Sequence, residues 1–156
     1  MKLHPNLAEG IVICLESVFD KQHPADKCIE FYLKSNKAWG ARDRRFFAET
    51  VYDMVRYWRK IQFCANLSEI RSDADRMKML GTWFLLKGET LPNWEWFRTL
   101  KTAEILDRNE TAQQLPAIRE SVPDWLFDFG QQQLPDRWET ELQAINQKAD
   151  AILRVN

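Results

Sequence analysis

Residues 42–64, RDRRFFAETVYDMVRYWRKIQFC, run for twenty-three positions without a glycine or a proline. At 100° per residue, Phe47, Val51, Met54, Trp58 and Ile61 fall on one side, with Val55 at the margin. Arg42, Arg45, Glu49, Asp53, Arg56 and Lys60 fall on the other. Asp43, near the start, suits the positive end of a helix dipole. The pattern predicts one amphipathic helix over 42–64. Such a helix is stable only when its apolar stripe is buried against other elements, so the segment demands partners of matching shape.

The rest of the chain supplies helical partners. A helix is predicted over about residues 6–19, with Leu7, Ile11, Leu15 and Val18 on one face. KQHPAD ends it, because Pro24 cannot continue a helix and restricts His23 before it. A second helix then carries Cys28, Ile29, Tyr32 and Leu33, and SNKAWGA reads as a loop pivoting at Gly40. After SEIRSDAD a further helix should hold Met77, Leu80 and Phe84. LPNWEWF reads as a turn feeding a short helix. TAEILDRNETAQQL allows two readings, partly helical or a loop over 107–110. Beyond it, Pro116, Pro123 and Pro135 divide the tail into short helical pieces with acids in their first turns. Strand signal is almost confined to Ile152, Leu153 and Val155. The expected fold class is all-α.

Overall charge is near neutral at −1, but its distribution is not even. Residues 34–60 hold eight bases against three acids, a net +5, whereas residues 103–150 hold four bases against ten acids, a net −6. One end of the molecule should attract a polyanion and the other should not. Cys14, Cys28 and Cys64 are odd in number, widely spaced and far from both histidines. They read as reduced core thiols, which excludes a zinc site or a disulfide framework. There is no secretory signal and no apolar run long enough for a membrane span, so the expected location is the cytoplasm.

No catalytic constellation is recognisable. The glycines at 10, 40, 81, 88 and 130 cannot form a dinucleotide-binding or phosphate-binding loop. The basic segment is the strongest functional signal. Lys34, Lys37, Arg42, Arg45, Arg56, Arg59 and Lys60 are the candidate RNA contacts, since exposed Arg and Lys engage phosphate oxygens. Tyr32, Trp39 and Tyr57 are candidate stacking partners for unpaired bases. The competing reading is a solvated face on which Arg45 pairs with Glu49 and Asp53 with Arg56. Arg44 falls on the apolar side and needs a partner, so Asp43 and Arg44 are assigned to a structural ion pair tying this helix to a neighbour. Trp94, Trp96 and Phe97 read as core rather than as a stacking surface.

RDRRFFAETVYDMVR resembles the D-R-x₄-E-[hydrophobic]-x-[aromatic]-G-x-x-R segment of the NusB-like domain that opens the Sun/Fmu (RsmB-type) RNA cytosine-5 methyltransferases. Asp43, Arg44, Glu49, Tyr52 and Arg56 stand at the matching positions, and Asp53 stands where that family often has glycine. SVPDWLFDFGQQQLPDRWETELQAINQKADAILRVN is similar to the family's connector, and LRVN to the opening of the strand that begins its next domain. The middle of the chain, about residues 71–114, matches poorly. The resemblance implies a NusB-like RNA-binding bundle over residues 1–115. It also implies a connector over 116–156, leading to a catalytic methyltransferase domain that is absent here. Two origins fit such an ending, a longer chain of which this is the opening or a short gene. By the resemblance, the RNA is ribosomal and the absent domain uses S-adenosylmethionine and two cysteines in Pro-Cys and Thr-Cys contexts. Cys14, Cys28 and Cys64 do not stand in those contexts. A stand-alone antitermination-type RNA adaptor and a protein-interaction module bracing a catalytic domain are the alternatives.

Overall fold

Helices begin and end largely where proline, glycine and capping side chains punctuate the chain. The computed structural model describes residues 3–147. Helix α1 spans Pro5–Phe19, α2 Ala25–Ser35, α3 Ala41–Arg56, α4 Trp58–Cys64 and α5 Asp73–Leu86. A 3₁₀ turn at Glu95–Phe97 leads to α6 (Thr102–Gln113), α7 (Pro116–Arg119), α8 (Asp124–Gln133) and α9 (Trp138–Asn146). Among the described residues there is no β-strand, and the fold is all-α. The strand expected at 152–155 lies outside the described residues.

Helix α1 packs against α2, α3 and α5. Its Leu7, Ile11 and Leu15 meet Phe47, Val51 and Met54 of α3, Ile61 of α4, and Met79 and Leu80 of α5 in one apolar cluster, all of them fully buried. Burying a side chain of this size contributes roughly 1.5–3 kcal/mol relative to leaving it exposed. A smaller cluster of Cys64, Ile105 and Ala112 seats α6 on α4. Residues 107–110 are helical within α6, which settles the two readings of that stretch. The three cysteines are buried and reduced. Burial pushes the Cys14 thiol up to about 12 and the Cys64 thiol to about 11, so both stay protonated and unreactive.

Two local devices position the elements. Ser72 caps α5: its hydroxyl accepts from the Asp75 N–H at 3.2 Å, and the Asp75 carboxylate accepts from the Ser72 N–H at 3.0 Å. Gly81 lets the 3₁₀ turn close on α5, because a side chain there would collide with Phe97 and Leu100. That contact buries Phe97, while Trp94 is half-buried and stacked on it with ring centroids 5.5 Å apart. Trp96 is exposed, so the aromatic triplet divides between core and surface rather than being all core.

The single helix expected over 42–64 is two. Tyr57 leaves the helical region (φ −104°, ψ 22°), its N–H closing α3 on Asp53 and its carbonyl opening α4 to Ile61. The adjacent rings have partners on different helices. Tyr57 stacks on Trp83 of α5 at 5.9 Å, and Trp58 stacks on Phe19 of α1 at 3.9 Å. The apolar stripe survives the break, with Phe47, Val51, Met54 and Ile61 all buried.

Candidate nucleic-acid interface

The outward side of α3, with the loop before it, carries the candidate contacts. Lys37 lies in the α2–α3 loop, Arg42 in the first turn of α3, and Arg56 in its last turn, where a cation also complements the helix dipole. All three are exposed and have no ion-pair or hydrogen-bond partner among the described residues. Arg45 is exposed and pairs with Glu49 at 3.1 Å, as its i,i+4 spacing suggests. Lys34 is exposed with Glu30 at 2.5 Å, and that hydrogen bond holds the Glu30 carboxyl below the usual range. Exposed pairs of this kind are worth at most about 1 kcal/mol and yield readily to a competing phosphate.

Asp53 does not pair with Arg56. It takes Lys87 of α5 at 3.4 Å, and the same ammonium lies 4.5 Å from the centre of the Trp83 ring. The tertiary pairing removes Asp53 from competition and leaves Arg56 uncompensated. Beside this pair, a groove of about 290 Å³ is lined by Phe46, Asp53, Trp83, Phe84 and Lys87, together with Glu49 and Glu89.

Arg59 and Lys60 belong elsewhere. Arg59 donates to the Val122 carbonyl and, at 2.6 Å, to the Asp124 carboxylate, with its side chain only 29% exposed. It joins the bundle to the tail. Lys60 is half-buried, which lowers the pKa of its amine, and its N–H donates to Ser121 Oγ at 3.2 Å. Ser121, in the left-handed region at φ 61°, thereby caps the first turn of α4 across a gap of sixty-one residues. Of the seven expected contacts, these two therefore stand at the joint between bundle and tail, Arg59 by its side chain and Lys60 by its backbone N–H, rather than on the exposed side of α3. Within the tail, Arg119 pairs with Glu120 at 2.8 Å and Glu139 at 2.9 Å, and Asn146 donates to the Glu120 carbonyl and carboxylate at 3.0 Å.

The ion pair assigned to Asp43 and Arg44 is also corrected. Arg44 is half-buried and ties α3 to α2, but through a hydrogen bond of 2.6 Å to the Leu33 carbonyl. The end of α2 leaves carbonyls without intrahelical donors, and a guanidinium satisfies one of them at lower desolvation cost than a buried ion pair. The expected stacking residues are mostly unavailable to bases. Trp39 is buried against Phe47, Tyr57 is half-buried on Trp83, and Tyr32 is half-buried in the α1–α2–α3 packing.

Tyr52, which the sequence singles out as a motif position but not as a stacking candidate, is 45% exposed on α3. Arg45, Tyr52 and Arg56 are spaced i, i+7 and i+11, which puts them within about 40° of one another on the helix. That spacing was the available signal.

No group of metal-ligating side chains occurs among the described residues, and no helix there is long and apolar enough to cross a membrane. Gly81 and Gly130 lie inside helices, covered by Phe97 and Trp138. Comparison of this chain with models of protein families, with curated proteins and with solved structures finds no match in any of the three.

Proposed function

We propose that this chain is a NusB-like RNA-binding module of a cytoplasmic, S-adenosylmethionine-dependent rRNA cytosine-5 methyltransferase, with the chemistry supplied by a domain outside it. One observation carries the reading. Lys37, Arg42 and Arg56 stand exposed without counter-charges among the described residues, beside a segment resembling that family's motif. Three cations on one side offer phosphate contacts that carry no base specificity of their own. The module therefore supplies grip, and the placing of a target base is left to the catalytic domain.

The test is charge reversal. Arg42→Glu with Arg56→Glu should weaken binding to structured ribosomal RNA at least tenfold in a fluorescence-anisotropy titration. Binding of the double variant as tight as that of the unaltered chain contradicts the reading.

A second reading, a surface that braces the catalytic domain, is favoured by one specific feature. Trp125 and Phe129, one turn apart on α8, are 69% and 57% exposed. Side chains of this size are enriched at the centres of protein interfaces. The two readings use different residues and are compatible. Trp125→Ala should leave RNA affinity unchanged and weaken association with the catalytic domain.

A further inference from the structure

Aromatic side chains in this molecule are mostly engaged by other rings. Phe19 stacks on Trp58, Tyr57 on Trp83 and Trp94 on Phe97, while Trp39 and Tyr32 pack against Phe47. Tyr52 is different. It has no ring contact or hydrogen bond among the described residues, and nearly half of it faces solvent. It stands about two turns after Arg45 and one turn before Arg56 on the same stripe. Arg56 has no ion-pair partner among the described residues, and Arg45 has only an exposed one.

A flat, solvent-facing ring between two guanidinium groups matches the arrangement by which proteins hold unpaired nucleotides. The bases stack on the ring while the phosphates on either side meet the cations. Paired RNA cannot use it. The bases of an A-form duplex are stacked internally, and the duplex meets a protein through phosphates and 2′-hydroxyls.

Resting on the RNA-binding reading above, we infer that Tyr52 is a base-stacking residue flanked by Arg45 and Arg56, and that the α3 face therefore prefers unpaired RNA nucleotides to duplex. The ring supplies the preference for unpaired bases, and the two arginines supply affinity irrespective of sequence. A protein surface covering Tyr52 is the competing use of the same ring.

The test compares two probes, a short oligouridine strand and a blunt RNA duplex of equal length, each titrated at the same series of salt concentrations. The full chain and its Tyr52→Ala, Tyr52→Phe and Arg56→Ala variants are each titrated. Tyr52 is surface-exposed, so circular dichroism should confirm an unchanged fold. Tyr52→Ala should weaken binding to the single strand about tenfold or more and leave duplex binding and its salt dependence unaltered. Tyr52→Phe, which keeps the ring, should bind the single strand as the unaltered chain does. Arg56→Ala should weaken both probes and flatten the salt dependence of both. If Tyr52→Ala binds the single strand normally, or loses both probes equally, the stacking inference is overturned while the phosphate-binding reading stands. If the unaltered chain binds neither probe, the RNA-binding reading itself falls, and the stacking inference with it.

Discussion

The bundle of α1–α6 and the tail of α7–α9 hold themselves together by different physics. In the bundle, α1, α3, α4 and α5 each bury apolar side chains in a shared core. The tail buries little beyond Leu142, Gly130 and Glu120, and it leaves Trp125, Phe129, Leu134 and Ile145 exposed. Its attachment adds a polar layer to one apolar contact: Ile118 packs on the Cys64–Ile105–Ala112 cluster, Arg59 donates to Val122 and Asp124, and Ser121 accepts from the Lys60 N–H, while Arg119 and Asn146 gather around Glu120 within the tail itself. Trp138 lies over Gly130, where any side chain would overlap its ring, so α8 and α9 form a small unit of their own. A dry core resists salt and moderate pH change, whereas an attachment made of charge-assisted hydrogen bonds responds to both.

The largest test of this contrast lies in the core. Leu80→Ala should cost about 2–5 kcal/mol in a denaturant titration, because it removes a fully buried side chain from the shared core and leaves a cavity there. A cost below about 1 kcal/mol would mean that the core is less tightly packed than described. At the joint, Arg59→Ala should lower the stability of the attachment by about 1–3 kcal/mol while the bundle stays folded. Hydrogen exchange should then speed up across α8 and α9 and remain slow in α1 and α5. Equal acceleration everywhere would show that the two regions unfold as one.

The smallest effect is at the α5 cap. Ser72→Ala should cost about 1 kcal/mol. The Ser72 hydroxyl is the leading reason that the Asp75 carboxyl lies below the usual aspartate range, followed by the Arg71 N–H. A carboxyl lowered by folding stabilises the native state above its ordinary pKa and loses that contribution as pH falls through the lowered one. The difference between Ser72→Ala and the unaltered chain should therefore shrink as pH drops below the ordinary aspartate pKa, and chemical denaturation across acid pH reads it.

Much of the bundle was legible because its signals are local. The buried faces of α1, α3 and α5 follow from apolar spacing alone, and the cysteines from their apolar neighbours. What stayed hidden depended on residues far apart in sequence. The break at Tyr57 depends on Trp83 and Phe19, and the freedom of Arg56 depends on Lys87 taking Asp53. The withdrawal of Arg59 depends on Asp124, sixty-five residues away. A helical wheel gives each arginine a direction but says nothing about which other element lies there. Arg44 shows the same limit in a milder form. Its inward position was legible, but its partner was a helix-end carbonyl rather than a carboxylate.

The account depends most on the cations of α3 being free to meet phosphate. Titrating the unaltered chain with structured ribosomal RNA at about 50 and about 200 mM salt measures this directly, because each phosphate contact releases a counterion. With about three such contacts, affinity should fall roughly ten- to fiftyfold between the two conditions. Affinity that does not change with salt, or no binding at the lower concentration, would contradict the account.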